Sequence, residues 1–150
     1  MNESFISIII PTLNEEKFLP KLLNSIKEQN YKNYEIIVAD ANSNDKTVEI
    51  AKSFDAKIVQ GGKPATGRNN GAKFSAGDYL LFLDADVILP KNFLEKAIYE
   101  FDYYYYEVAT FRFEPISNLK IDHLIFKLAN VLIERTKKIY PLAPGFCIIC

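Results

Sequence analysis

The stretch Tyr79-Leu80-Leu81-Phe82-Leu83-Asp84-Ala85-Asp86 decides the fold, because five apolar or aromatic residues lead directly into two carboxylates. A short apolar run of this kind is typical of a strand buried on both faces of a covered sheet. Open α/β sheets bind their ligands just beyond the carboxyl ends of such strands. Asp84 and Asp86 there indicate a site for a hard divalent cation, Mg²⁺ or Mn²⁺, whose remaining ligands would be phosphate and water oxygens. The alternative is that both are solvated turn residues, since Asp is common where strands end.

Segments typical of strands and helices alternate on both sides of this stretch. Predicted strands precede it at residues 5–10, 34–39 and Lys57–Gln60, and helices are predicted between them and over residues 66–75. This alternation indicates an α/β architecture with a mostly parallel sheet.

Polar residues before the first two helices are predicted caps. Thr12 with Glu15, or Asn14 alone, would cap the first helix, and residues 43–45 would cap the second. Pro90 is predicted to open a further helix downstream of Asp86.

The last third of the chain carries weaker signals. A strand is predicted at residues 108–113, after four consecutive tyrosines at 103–106 that we interpret as a partly buried connection. The spacing of apolar residues over 118–139 predicts an amphipathic helix. We expect it to dock on its own domain, and the alternative is that it lies on a membrane. His123 is expected on the surface of that helix, and Cys147 and Cys150 are expected to be buried free thiols.

Composition narrows the class of protein. The chain has 150 residues, 49% of them hydrophobic and 25% charged, as expected for one globular domain. A net charge of -1 with scattered basic residues argues against nucleic-acid binding. The start has no signal-peptide pattern, so we expect a cytoplasmic protein, and the apolar ending at Cys150 suggests truncation at the carboxyl terminus.

Four loop features are predicted to meet at one edge of the sheet. They are residues 11–15, Asp40, Arg68 and the Asp84/Asp86 pair, each at a strand end or a helix start. A strand-end carboxylate can accept hydrogen bonds from a base or a ribose, and Arg68 offers a permanently charged fork for phosphate. Each feature alone can also be interpreted as a cap, a turn or a surface ion pair. Together they favour a nucleotide site.

At these positions the chain resembles the family 2 glycosyltransferases, inverting enzymes of the GT-A fold that use nucleotide sugars. The matching text is Ser-Ile-Ile-Ile-Pro-Thr-Leu-Asn-Glu-Glu at 7–16, Glu-Ile-Ile-Val-Ala-Asp-Ala-Asn-Ser-Asn-Asp-Lys-Thr at 35–47, Gly-Arg-Asn-Asn-Gly-Ala at 67–72 and Gly-Asp-Tyr-Leu-Leu-Phe-Leu-Asp-Ala-Asp at 77–86. The resemblance covers about the first two-thirds of the chain. It implies a three-layer α/β/α sandwich with a mostly parallel central sheet.

The resemblance also implies a role for each matching residue. Asp40 would bond the base, Arg68 would lie on the base or phosphate side, and Asp84 would face the ribose. Asp86, with Asp84, would bind Mg²⁺ or Mn²⁺ on the diphosphate. The nucleoside pocket would be lined by Pro11, Thr12, Leu13 and Glu15, and Ala85 would separate the two acids.

The implied reaction is a single displacement with inversion, in which a sugar moves from a UDP- or GDP-linked donor to an acceptor hydroxyl or phosphate. The resemblance does not decide whether the acceptor is a lipid phosphate, a polysaccharide or a protein. Peripheral contact with the cytoplasmic membrane surface is a further alternative. A carboxylate base would take the acceptor proton.

Two departures from the family pattern leave alternatives open. The family commonly has Asp-Asp-Gly-Ser where this chain has Asp40-Ala41-Asn42-Ser43, so the second acid is lost. The catalytic base, usually downstream of a segment resembling residues 144–147, is unknown here, and Glu114 lies too early for that position. A nucleotide-sugar-binding module without a base is therefore the first alternative.

Two other enzyme classes fit the sequence less well. A nucleotidyltransferase usually has a glycine-rich loop with a basic residue after the first strand, whereas this chain has Pro-Thr-Leu-Asn-Glu at 11–15. An NAD-dependent oxidoreductase would have Gly-x-Gly-x-x-Gly after its first strand, and this chain does not.

Overall fold

The protein is described by a computed structural model over residues 4–112, 114–136 and 147–150. Six strands and five helices are formed by these residues. The strands are β1 (Ile6–Thr12), β2 (Tyr34–Asp40), β3 (Lys57–Gln60), β4 (Tyr79–Leu83), β5 (Ala109–Thr110) and β6 (Cys147–Ile149). The helices are α1 (Leu19–Lys27), α2 (Thr47–Ser53), α3 (Pro64–Lys73), α4 (Phe93–Tyr104) and α5 (Lys120–Thr136).

The strands form one sheet in the order β3-β2-β1-β4-β6-β5. β1 lies between β2 and β4 and is parallel to both, and β3 is parallel to β2. β6 runs antiparallel to β4 and to β5. The predicted mostly parallel sheet is confirmed, and the carboxyl ends of β1 to β4 lie on one edge of it.

Helices cover both faces of the sheet, which confirms the three-layer sandwich. Alternate residues of β1 point to opposite faces, because side chains in a strand alternate. Ile6, Ile8 and Ile10 join the larger core with α1, α2 and α4. Ile9 joins a smaller core that includes Ala72 of α3.

α3 approaches β1 so closely that one position admits no side chain. A Cβ added to Gly71 would lie 2.3 Å from Cγ2 of Ile9, whose side chain is fully buried. Contacts this short are essentially never tolerated without movement of one partner. The glycine therefore sets the distance between α3 and the sheet, and this places Arg68, one turn earlier, over the sheet edge.

The cap predicted for the first helix is wrong, whereas the cap predicted for the second is confirmed at Asp45, whose Oδ1 accepts from the N–H of Thr47, the first residue of α2, at 2.9 Å. Thr12 lies within β1, and Asn14 has a left-handed backbone with φ of 57°. α1 begins at Leu19 without a side-chain cap. Both side chains are instead used to join loops, as described below.

Most other boundaries differ from the prediction by two or three residues. β1 extends to Thr12 because its pairing with β2 continues to Asp40, α3 begins at Pro64, and α4 begins at Phe93 rather than at Pro90. β5 has only two residues of the predicted 108–113, and Phe113 lies outside the described residues, as do residues 137–139 of the predicted last helix.

Two predictions about the last third were wrong. The apolar stripe of α5 does not dock on its own domain within the described residues, since Ile121, Leu124 and Leu128 are 52 to 62% exposed. The tyrosines at 103–106 are exposed rather than partly buried, with Tyr105 at 92%. No helix of the described part of the chain is long and apolar enough to span a membrane.

The thiols and His123 lie close to where they were expected. Cys147 is a buried free thiol in β6, and Cys150 is a half-buried one. His123 is exposed on α5, with its Nε2 2.8 Å from the carbonyl oxygen of Ser117.

Candidate functional site

The predicted site residues come together at the carboxyl edge of the parallel strands. Thr12 ends β1 and pairs in register with Asp40, which ends β2. Asp84 follows directly after β4, the other neighbour of β1. Side chains that are far apart in sequence therefore meet over three adjacent strand ends, where parallel sheets commonly bind ligands.

Asp40 is held by three hydrogen bonds at this edge. Thr12 Oγ1 donates to its Oδ1 at 3.0 Å, and Ser43 Oγ donates to the same oxygen at 2.6 Å. The Ser43 backbone N–H donates to Oδ2 at 2.9 Å. Asp40 is only 7% exposed, so these donors stabilise a carboxylate that has little contact with water. They leave Oδ2 with capacity to accept a further bond from a ligand.

Ser43 and Asn14 fasten the loop after β1 to the loop after β2. Ser43 Oγ accepts a hydrogen bond from the Asn14 backbone N–H at 2.8 Å, and Asn14 Oδ1 accepts one from the Asn44 backbone N–H at 2.8 Å. The left-handed backbone of Asn14, which Asn tolerates better than most residues, makes this reciprocal pair possible. We call residues 12–16 and 40–47, joined in this way, the double loop.

Three further bonds close the double loop on its helix side. The Glu15 backbone N–H donates to Thr47 Oγ1 at 2.8 Å, and the Glu16 N–H donates to Asp45 Oδ2 at 3.1 Å. In return, Glu16 Oε2 accepts from the Lys46 N–H at 3.2 Å. Loop N–H groups that have no ladder partner are thus paired with side chains, so the two loops are joined by bonds within the chain.

Arg68 of α3 forms an ion pair with Asp84. Their side chains are 20% and 29% exposed, so the pair lies partly below the surface. Burial raises the pKa of Asp84, while the Arg68 guanidinium lowers it and the negative charge of Asp86 raises it further. Arg68 therefore offsets part of the effect of burial on Asp84, whose pKa stays above its usual value.

Negative charge accumulates beside this ion pair. The pKa of Glu15 is raised, first by partial burial and then by the charges of Asp86, Asp45 and Asp84. Asp86 is exposed, whereas its neighbour Ala85 is 4% exposed and turns inward. Carboxylates that repel one another in this way would be stabilised by a bound cation.

The donor set fits Mg²⁺ or Mn²⁺ only if a ligand contributes oxygens. Asp84 and Asp86 supply hard oxygen donors of the type that both ions prefer. Within residues 4–112, 114–136 and 147–150, however, no three acidic, histidine or cysteine side chains are placed to hold one ion. A metal here would complete its coordination shell with water and substrate phosphate, as these ions commonly do.

The remaining predicted residues differ in how far they can touch a ligand. Leu13 is 55% exposed, Pro11 and Glu15 are half-buried, and Thr12 is 4% exposed with its hydroxyl on Asp40. Glu114 is exposed on the connection between β5 and α5.

Sequence reasoning missed the part played by Ser43, Asp45 and Thr47. The signal was the run Asp40-Ala41-Asn42-Ser43-Asn44-Asp45 directly after a buried strand. Short polar side chains there commonly bond nearby loop N–H groups.

β6 borders the site on its other side. Cys147 pairs in register with Leu83, the residue before Asp84. Burial, together with the negative charge of Asp84, raises the pKa of the Cys147 thiol to about 12. The thiol is thus neutral and inert at neutral pH, which argues against a nucleophilic role.

Comparison with known proteins gives a consistent result. The profile described as "Glycosyl transferase family 2" matches residues 7–143. The poly(ribitol-phosphate) beta-N-acetylglucosaminyltransferase TarS of Staphylococcus aureus is 28% identical over 150 residues, covering 92% of this chain and 26% of the relative. The 4,4'-diaponeurosporenoate glycosyltransferase of Staphylococcus haemolyticus is 35% identical over 131 residues, covering 81% of this chain and 33% of the relative. The chain thus spans about a quarter to a third of these relatives.

Solved structures resemble the fold as well. The structure of S. aureus TarS residues 1–349 in complex with UDP-GlcNAc superimposes with a TM-score of 0.70 at 27% identity, covering 77% of this chain and 36% of the other. The mannosyltransferase PcManGT from Pyrobaculum calidifontis, in complex with GDP-Man and Mn²⁺, has a TM-score of 0.78 at 20% identity and covers 99% of this chain and 45% of the other. The latter likeness concerns the fold alone.

Proposed function

This chain belongs to glycosyltransferase family 2, and on that premise we propose that it binds a nucleoside diphosphate sugar and transfers the sugar to an acceptor hydroxyl or phosphate with inversion. The observation that carries the proposal is the meeting of Asp40, the Arg68–Asp84 pair and Asp86 at one sheet edge. Base, ribose and diphosphate present hydrogen-bond donors at one end and negative charge at the other. The edge offers matching groups in that order.

The nucleoside would lie over the double loop. Asp40 has a free acceptor position for a base N–H, and its place is fixed by Thr12 and Ser43. Pro11, Leu13 and Glu15 would line the pocket around the base and ribose. TarS, whose structures include UDP and UDP-GlcNAc complexes, supports uracil ahead of guanine as the base.

The diphosphate would lie between Arg68 and Asp86. A Mg²⁺ or Mn²⁺ ion held by Asp86, with Asp84 beside it, would neutralise charge on the departing nucleoside diphosphate. Arg68 would hold Asp84 in its charged form, which faces the ribose, and its guanidinium would attract phosphate oxygens. Ala85 keeps the two acids apart and itself faces the core.

The transfer would be one displacement at the anomeric carbon. An acceptor oxygen forms a bond to that carbon while the bond to the β-phosphate oxygen breaks, and the electron pair stays on the phosphate. A carboxylate base takes the acceptor proton. We assign that base to none of the described side chains.

The acceptor class is proposed more broadly. The name of TarS includes a poly(ribitol-phosphate), which supports a polymeric acceptor, and a lipid-linked acceptor is the other class that we propose. A lipid-linked acceptor would bring the site to the cytoplasmic surface of the membrane.

A second candidate function is a nucleotide-sugar-binding module without transferase activity. It is favoured by Ala41, which stands where the family commonly has a second acid, and by the lack of an assigned base among residues 4–112, 114–136 and 147–150. Such a module would keep the donor half of the site and lack the base.

Anomer-resolved NMR of the chain incubated with UDP-GlcNAc and Mn²⁺ separates the two candidates. Water can replace the acceptor in a slow side reaction, and a single displacement on the α-linked donor then releases the β-sugar first. Release of the β-anomer supports an inverting transferase, whereas tight binding without release supports the module. Initial release of the α-anomer would contradict inversion.

A further inference from the structure

We propose that one face of α5 is a docking surface for an anionic lipid bilayer. The face consists of Ile121, Leu124, Ile125, Leu128 and Leu132, which are between 52 and 62% exposed. They lie on one side of the helix because positions three and four apart stand above one another. We call these five residues the α5 stripe.

Two hydrogen bonds of α5 involve side chains outside the α5 stripe. Glu134 accepts a hydrogen bond from Arg112 at 2.8 Å, and Asp122 accepts one from Ser117 Oγ at 2.5 Å. Asp122 and Ile133 are half-buried, whereas the α5 stripe is not. The part of the domain that the structure describes therefore leaves the α5 stripe uncovered. Monomeric soluble proteins rarely expose a contiguous apolar surface of this kind without a partner.

The charges on α5 favour an anionic partner. Its two acids, Asp122 and Glu134, are used in the bonds just described. Its cations Lys120, Lys127 and Arg135 are all exposed. Lys120 and Lys127 are two turns apart and line one border of the α5 stripe, and Arg135 lies at its carboxyl end. In the sequence, two more lysines follow at 137 and 138.

An apolar stripe bordered by cations is the arrangement of helices that lie in a membrane interface. The apolar side chains enter the boundary of the acyl chains, and the cations contact lipid phosphates. The choice of a bilayer as the partner rests on the proposed function, because a transferase with a lipid-linked acceptor would act at a membrane surface.

Vesicle sedimentation tests the docking surface directly. The chain is mixed with vesicles of phosphatidylcholine, or of equal parts phosphatidylcholine and phosphatidylglycerol, and its bound fraction is measured at low and high salt. We expect binding to the mixed vesicles that weakens with salt, since salt screens the attraction between cations and anionic lipid. Leu128→Glu should weaken this binding by about tenfold or more, because a charged side chain would replace an apolar one that enters the bilayer.

His123→Glu is the matched control. His123 is exposed on α5 about 140° around the helix from Leu128, and the variant adds the same charge to the other face. It should bind vesicles nearly as well as the parent chain. Lys120→Glu combined with Lys127→Glu should remove the preference for phosphatidylglycerol.

Other outcomes would overturn the proposal. A parent chain that stays in the supernatant with both vesicles, or equal loss in Leu128→Glu and His123→Glu, would contradict bilayer docking. A dimer in the absence of lipid that Leu128→Glu dissociates would show a second copy as the partner. Calorimetric titration with UDP keeps the two proposals apart, since Leu128→Glu should bind nucleotide normally. If the parent chain does not bind UDP, the proposed function is contradicted, whereas the docking surface is not.

Discussion

At the scale of single residues, Ser43 joins Asp40 to the loop that follows β1. Its hydroxyl donates to Asp40 and accepts from the Asn14 N–H, and its own N–H donates to Asp40. One small side chain therefore fixes both the candidate base-binding carboxylate and the neighbouring loop. Since Ser43 is only half-buried, its removal should leave the fold in place.

We expect Ser43→Ala to lower the free energy of unfolding by about 1–2 kcal/mol and to weaken UDP binding. A buried carboxylate loses a hydroxyl donor, and a loop N–H loses its acceptor. Urea denaturation and calorimetric titration would measure the two effects. Ser53→Ala is the control, because Ser53 is exposed on α2 and its hydroxyl bonds only a helix carbonyl, that of Ile50. Equal stability and equal binding in the two variants would contradict the role of Ser43.

Cys147 offers a second test at a single residue. Because its pKa is raised to about 12, its thiol stays protonated at pH 8, where an ordinary exposed thiol is partly ionised. We expect alkylation of Cys147 only after the chain is unfolded in denaturant, with mass spectrometry to locate the label. Cys150, which is half-buried, serves as the internal comparison and should react first. Rapid native labelling of Cys147 would show that β6 does not cover the site as described.

At the scale of elements, the contact between α3 and β1 decides where Arg68 lies. Gly71→Ala would place a Cβ 2.3 Å from Ile9 Cγ2, and α3 must then move away from the sheet. We expect a loss of about 1–3 kcal/mol in the free energy of unfolding, as in other overpacked cores. Asn69→Ala, at an exposed position of the same helix, should be neutral or stabilising.

Thermal and urea denaturation of both variants would measure this difference. An increase in stability in Gly71→Ala would mean that the gain in helix propensity exceeds the steric conflict, and that α3 is not held at this distance by the glycine.

The sequence predicted β3 and β4 within their observed limits and most other elements within a few residues. Apolar periodicity carries this information, because a buried face needs the same side chains wherever it packs. The roles of Thr12, Asn14 and Ser43 within the double loop were not predicted. Each can cap a helix or bond a loop equally well, and only the parallel neighbour of a strand decides between the two.

The same difference between local pattern and tertiary contact explains the error on α5. Its amphipathic spacing predicted the helix correctly. The same spacing does not show which surface contacts the apolar face. Of the candidate site, the strand-end positions of Asp40, Asp84 and Asp86 followed from the sequence. The pairing of Arg68 with Asp84 depended on the close approach of α3, which spacing does not reveal.

At the scale of the whole molecule, the described residues bring the groups of the proposed donor site together at one edge of the sheet. The double loop, α3 and the end of β4 are all fixed by contacts inside this chain. We therefore expect the described residues to bind the donor, whereas we assign the base for transfer to none of them. Donor binding and sugar transfer should therefore be measured separately.

Calorimetric titration with UDP, in Mn²⁺ and then with a chelator, tests the central claim most directly. The parent chain should bind UDP with Mn²⁺ and lose most of that affinity with chelator. Asp86→Asn should lose about tenfold or more in Mn²⁺-dependent affinity, because it removes a charged metal ligand. Asp55→Asn is the matched control, since Asp55 is exposed after α2 with a φ of 58° that Asn also tolerates. Binding that is independent of metal, or unchanged in Asp86→Asn, would contradict a metal-assisted donor site at this edge of the sheet.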